Sequence, residues 1–164
     1  MTQDSRAWPP SYLAFAVAVF ITLGAAAAFW QGGHAENANP VTVAVLPFTP
    51  FLPEQSDPAL ELGMTDTLIS HLGRVPDVTV PSLITVRRVA GAHADATDAG
   101  KALGVEAVLE SSVLRQGERI RVLSRLIRVR DGKSLWVGKF DEPISDILAV
   151  QDSIAESVMR TLAP

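Results

Sequence analysis

VEAVLESSVLRQGERIRVLSRLIRVRDGKSLWVGKF, residues 105–140, decides the fold. It divides into three β-rich, mainly apolar segments, 105–115, 118–130 and 133–140. The breaks are Gln116-Gly117 and Asp131-Gly132, both good hairpin punctuation. Three strands joined by tight turns pair antiparallel.

Upstream, VTVAVLPF (41–48) reads as a strand buried on both faces, ended by Pro47 and Pro50. A helix is expected over 58–73, since Leu60, Met64, Leu68 and Leu72 recur every four positions. Gly73 is placed to close it. DVTV (77–80) is a second strand. Ser82 caps a short helix to 88, and Asp95 or Thr97 begins another that Gly104 ends. Downstream, 145–162 is helical, with Ser145 as N-cap and Ile147, Val150, Ile154, Val158 and Leu162 on one stripe. The fold class is α/β. A parallel β-α-β-α-β half with right-handed crossovers runs into antiparallel hairpin strands and a C-terminal helix, making one mixed sheet.

The N-terminus differs in kind. No charged residue lies between Arg6 and Glu36, and 13–29 (LAFAVAVFITLGAAAAF) is almost wholly apolar. With Tyr12 and Trp30 at its ends it spans roughly the hydrocarbon of a bilayer at about 1.5 Å per residue. The expected organisation is a cytoplasmic N-terminus (1–10), a transmembrane signal anchor (11–30), a linker (31–40) and an α/β domain (41–164). Two rival readings are a cleaved signal peptide, cut ahead of Glu36, and a buried helix. The run exceeds a usual h-region, and apolarity all round the helix disfavours a globular core. Arg6 precedes the segment and no Lys or Arg follows until Arg74. The N-terminus is then cytoplasmic and the domain outside, in the periplasm of a Gram-negative cell whose inner membrane it crosses once.

Composition narrows the function. In 164 residues, Lys and Arg total 14 against 18 Asp and Glu, a formal net charge of −4. A nucleic-acid binder would carry surplus positive charge. With no cysteine there is no disulfide, thiolate metal site, Cys nucleophile or lipidated Cys. His34, His71 and His93 are scattered without metal-ligand spacing. Ser111-Ser112 lacks a nucleophile elbow. Gly100-Lys101 lacks the glycine and the Ser/Thr of a phosphate loop. No catalytic, cofactor or metal residue is assigned, and no enzyme activity is expected.

The segments VAVLPF (43–48), ELGMTDTLISHLGRVPDVTV (61–80) and 102–158 resemble the TolB amino-terminal-like, or FlgO-type, domain. GVEAVLESSVLRQGERIRV (104–122), GKSLW (132–136) and LAVQDSIA (148–155) carry most of the likeness. Such domains occur in bacterial membrane-anchored regulators and in adenylate-cyclase proteins, commonly with tetratricopeptide repeats. The resemblance implies an α/β domain without catalytic residues, used for sensing, scaffolding or protein interaction at the envelope. It covers 41–162 and extends neither to a cyclase or DNA-binding domain nor to the repeats.

The most distinctive polar feature lies in 115–139, where eight Lys and Arg stand against Glu118 and Asp131. Arg119, Arg121 and Arg125 share one strand face; Arg128 and Arg130 lie on the other. Glu106 and Glu110, also on one face, are expected to pair with arginines of the next strand. That solvated, paired face is the favoured reading; the alternative is an anionic docking surface for lipid headgroups, glycan or an acidic partner. Phe51 and Leu52, in a Pro-rich loop after the first strand, form a second candidate contact site. Trp136 is either a sheet aromatic or, if exposed, an interface anchor. A protein-binding module, with self-association as an option, is one functional reading; a small-molecule sensor domain using the 49–57 loop is the other.

Overall fold

The computed structural model describes residues 41–162. The expected anchor and linker lie outside the described residues. Among the described residues no helix is long and apolar enough to cross a membrane.

The elements are β1 (Val41–Val45), β2 (Thr49–Pro50), α1 (Pro58–Leu72), β3 (Val78–Thr79), α2 (Leu83–Ala90), α3 (Ala96–Leu103), β4 (Ala107–Gln116), β5 (Arg119–Arg128), β6 (Ser134–Pro143) and α4 (Ile147–Leu162). The sheet order is β3-β1-β4-β5-β6, with β2 also beside β4. β1 pairs parallel with β3 and β4, whereas β4-β5-β6 is an antiparallel meander. The mixed sheet is the one the sequence predicts.

Two crossovers place the helices. The first, β1-α1-β3, moves outward by one strand; the second, β3-α2-α3-β4, returns past β1. Crossovers of one hand that run in opposite directions put their helices on opposite faces. The packing agrees. Val43, Val45, Leu109, Ile120, Val122 and Leu126 join Met64 and Leu68 of α1 and Ile154 and Val158 of α4 in the larger core. Ala44, Val108 and Val129 meet Val86 of α2 and Ala99 of α3 in a smaller one. Residues 108 and 109 point to opposite faces, as strand alternation requires.

Local chemistry explains most boundaries. Asp57 caps α1 by accepting from the Leu60 amide at 3.1 Å, and Pro58 needs no donor at the first helical position. Ser82 and Asp95 cap α2 and α3. Gly117 takes φ 60° in the two-residue β4–β5 loop, the left-handed value such a loop favours.

Four details depart from the sequence reading. β1 stops at Val45, because Pro47 has no amide and the Phe48 amide donates to Thr65 Oγ1 of α1 at 3.1 Å. The strand line then resumes as Thr49–Pro50 against Ser112 and Val113, where a loop was expected. β6 runs three residues past the expected end, to Pro143. Ser145 does not cap α4; it sits in the one-turn 3₁₀ helix Ile144–Asp146, its hydroxyl bonded to Asp146.

Two glycines of helices should respond oppositely to alanine. A Cβ on Gly100 of α3 would lie 2.5 Å from a methyl of Val129 and 3.0 Å from one of Val108. Gly63 of α1 is exposed with nothing near it. In urea unfolding, Gly100→Ala is expected to lose about 1–3 kcal/mol by overpacking, and Gly63→Ala to gain about 0.5–1 kcal/mol. Equal effects would contradict the close approach of α3 to the sheet.

Candidate functional site

The helices α1 and α4 cover one sheet face. On the other, α2 and α3 have eight residues each and pack over β1 and the start of β4. The antiparallel half of that face has no helix over it among the described residues. Register arranges its side chains in rows: Glu110, Arg125, Val137; then Ser112, Leu123, Lys139; then Leu114, Arg121, Asp141. Leucine and valine form the floor and charged groups surround it. Leu114 is buried and Leu123 half-buried, whereas Val137 is 53% exposed.

Phe51 joins this surface. Its amide donates to the Val113 carbonyl at 2.9 Å, extending the β2–β4 pairing. Its ring, 61% exposed, lines an open cavity of about 230 Å³ with Ser112, Leu114, Arg121, Leu123 and Lys139. A second, of about 250 Å³, continues past Ser112 and Leu123 to Glu110 and Arg125. The two contact sites read separately from the sequence therefore adjoin through Phe51 and Arg121. Leu52 follows Phe51 at the surface and does not line either cavity.

Trp136 is elsewhere. It pairs with Leu126, packs against the larger core, and lies 6.4 Å from Phe140 between ring centroids. A Cβ at Gly138 would collide with the Trp136 ring. The indole thus covers a glycine on the core side of the edge strand, not the arginine face.

The charge pairing also differs from expectation. Glu106 precedes β4 beside β1: its carboxylate accepts from the Thr42 amide at 3.1 Å and its own amide donates to Thr42 Oγ1 at 3.0 Å. Glu110 stands opposite Arg125 in the register, yet the two form no salt bridge. The arginines turn instead to Asp141, which the sequence reading left beyond the strand end. Arg121 Nε donates to Oδ2 at 3.1 Å; Arg119 Nη2 reaches Oδ1 at 3.1 Å and the main-chain oxygen at 2.7 Å. Two guanidiniums thus share one carboxylate. Arg125 and Lys139 have no ion pair among the described residues.

No catalytic constellation is present among the described residues. No three His, Asp or Glu side chains gather to hold a metal. His71 pairs with Asp152 at 3.0 Å between α1 and α4, and His93, in the turn after α2, has its Nδ1 2.8 Å from the Val89 carbonyl of that helix. A larger open cavity, about 520 Å³, lies between Val41, Arg128 and Leu162, at the boundary of the described residues.

No protein-family model matches the chain. A curated protein of Rhizobium meliloti (strain 1021), "Putative adenylate cyclase 3", is 31% identical over 121 residues. The match covers 74% of this chain and 21% of that protein, so the chain spans about a fifth of its relative. Among solved structures, TolB from Acinetobacter baumannii superposes with a TM-score of 0.57 at 19% identity, covering 75% of this chain and 28% of that one. Lipoprotein GNA1162 from Neisseria meningitidis gives 0.54 at 21% identity, over 76% of this chain and 100% of the other. The C-terminal domain of LpoB from Salmonella enterica gives 0.52 at 16% identity, over 71% and 91%. The mixed sheet with flanking helices is therefore a TolB- and LpoB-like fold. The expected TolB-type architecture stands at the level of fold.

Asp141 supplies a pH test. Hydrogen bonds from Arg121, then Arg119, hold its carboxyl below the usual value of 3.8. A depressed folded-state pKa contributes stability that is complete above the ordinary value and lost as pH falls through the folded one. Asp141→Asn should therefore flatten the loss of stability below about pH 4, read as denaturation midpoints from neutral to acid pH. An unchanged acid limb would contradict the shared ion pair.

Proposed function

We propose that this chain is a non-catalytic protein-binding module held at the bacterial envelope. The open half of the second sheet face is its contact surface. The observation that carries this reading is the floor of Leu114, Leu123 and Val137 with Phe51 beside it, over which no helix lies among the described residues, whereas helices pack on the rest of the sheet. Apolar side chains grouped in this way gain by leaving water against a partner. Arg119, Arg121 and Arg125 give the surface a charged rim, and Leu52 extends it beside Phe51.

Envelope placement rests on the sequence. The charge-free segment 11–30 is the anchor, 31–40 the linker and 41–164 the domain; Arg6 keeps the N-terminus in the cytoplasm and the domain in the periplasm. Shared fold with TolB, LpoB and a lipoprotein is consistent with that location. The likeness to part of a protein named as an adenylate cyclase fits a binding or regulatory segment. Cyclase activity is not carried over from a match to a fifth of that protein. The alternative is a small-molecule sensor domain: the two cavities beside Leu123 are open and each smaller than the roughly 300–1,000 Å³ that enclose a drug-sized ligand, while an open cavity of about 330 Å³ between Thr49, Glu110 and the α2–α3 connection reaches that range.

A photo-crosslinking amino acid at Val137 should form a discrete adduct with another protein in living cells, and Leu123→Asp should abolish it. The same group at Ile84, 81% exposed on α2, should form none. Identical adducts at both positions, or none at Val137, would contradict the assignment of this face.

A further inference from the structure

The open face has the dimensions of one helix. From β4 to β6 it is two strand spacings wide, about 10 Å, and an α-helix with side chains is about 10–12 Å across. The neighbouring half of the same face already carries α2 and α3. One more helix laid beside them would complete the layer. The floor deepens from the edge strand inward: Val137 is 53% exposed, Leu123 half-buried and Leu114 8% exposed, while Arg125 stands beside Val137 and Lys139 beside Leu123, both exposed. Side chains of a helix can reach such a floor between the cations, whereas a flat layer of lipid headgroups would rest on the cations and leave the leucines unfilled.

Charge selects the helix. Arg119 and Arg121 share the single carboxylate of Asp141, and Arg125 and Lys139 have no salt bridge among the described residues. Glu110 is the remaining acid of the face. The surface is thus net positive on a chain whose formal charge is −4. Covering Arg125 and Lys139 strips them of water, a cost that Glu110 opposite Arg125 offsets in part and that carboxylates of the occupant would offset further. We propose that the open face takes one amphipathic helix of a partner protein, its apolar stripe on Leu114, Leu123 and Val137 and its flanking carboxylates on Arg125 and Lys139. This rests on the protein-binding reading above and adds the chemistry of the partner.

The test uses the full chain in phosphatidylcholine nanodiscs and a labelled peptide of about 18 residues, long enough to be helical alone. The peptide carries Leu at i, i+3, i+4 and i+7, flanked by Glu; a second has Gln for every Glu. Fluorescence anisotropy should show the Glu peptide binding about ten-fold more tightly than the Gln peptide. The double variant Arg125→Glu, Lys139→Glu should erase that preference, and Leu123→Asp should abolish binding of both peptides while circular dichroism shows the fold intact. Equal binding of the two peptides, lost in Leu123→Asp, would overturn the acidic helix and leave the protein-binding face standing. No binding of either peptide would overturn the helix, with the Val137 crosslink deciding the face itself. Loss of binding of the uncharged Gln peptide when phosphatidylglycerol replaces phosphatidylcholine would assign the face to anionic lipid and overturn the proposal.

Discussion

The β4–β5 ladder governs the domain. It runs in unbroken register from Ala107 opposite Arg128 to Gln116 opposite Arg119. A one-residue slip would turn every side chain on one strand to the other face. In the observed register Leu109, Val122 and Leu126 meet α1 and α4, and Ser111 and Ser124 bond to one another at 2.8 Å inside the core. The same register sets Ser112, Leu114, Leu123 and Arg125 together on the opposite side. The core and the open face are two results of one alignment.

The coverage of that opposite side is decided by connection length. The crossover that returns from β3 to β4 supplies only α2 and α3, and both are spent over the parallel strands. After β4 the chain advances by hairpins, which add strands without adding helices. α4 then packs on the face that α1 already occupies. A mixed sheet built in this order leaves its antiparallel half open on one side. What the sequence adds is the character of the opening: leucines at its floor, Phe51 at its margin and more cations than carboxylates to match them.

Much of this architecture was legible because it depends on local chemistry. Ser82, Asp95 and Gly104 mark helix ends by the bonds and backbone angles that those residues favour, and Gly117 and Gly132 mark the hairpins. The four-residue spacing of Met64, Leu68 and Leu72 identified the buried side of α1. The site was legible only in pieces. Arg119, Arg121 and Arg125 could be put on one strand face by counting. Their partner could not, because Asp141 meets them across a β5–β6 register that counting along the chain does not give. Glu106 and Glu110 were plausible cross-strand partners for the arginines of the next strand, but Thr42 on β1 holds Glu106 and Glu110 makes no ion pair among the described residues. Phe51 looked like a loop residue because Pro47 and Pro50 hide the short return to pairing with β4, and that pairing is what brings its ring beside Arg121. Trp136 lay one residue from exposed Val137, and strand alternation sent it to the core side.

On the proposed function, this half-face is open in the isolated protein and covered by a partner in the envelope. The absence of native cysteine lets single thiols report on it directly. Leu123→Cys, Val137→Cys and, as a control beneath α2 and α3, Val108→Cys would be reacted with a maleimide in the purified full chain and in native membranes. Labelling should be fast at 123 and 137 and slow at 108 in the purified chain, with 123 and 137 becoming slow in native membranes. Labelling at 108 as fast as at 123, or rates at 123 and 137 that are the same in both settings, would contradict it.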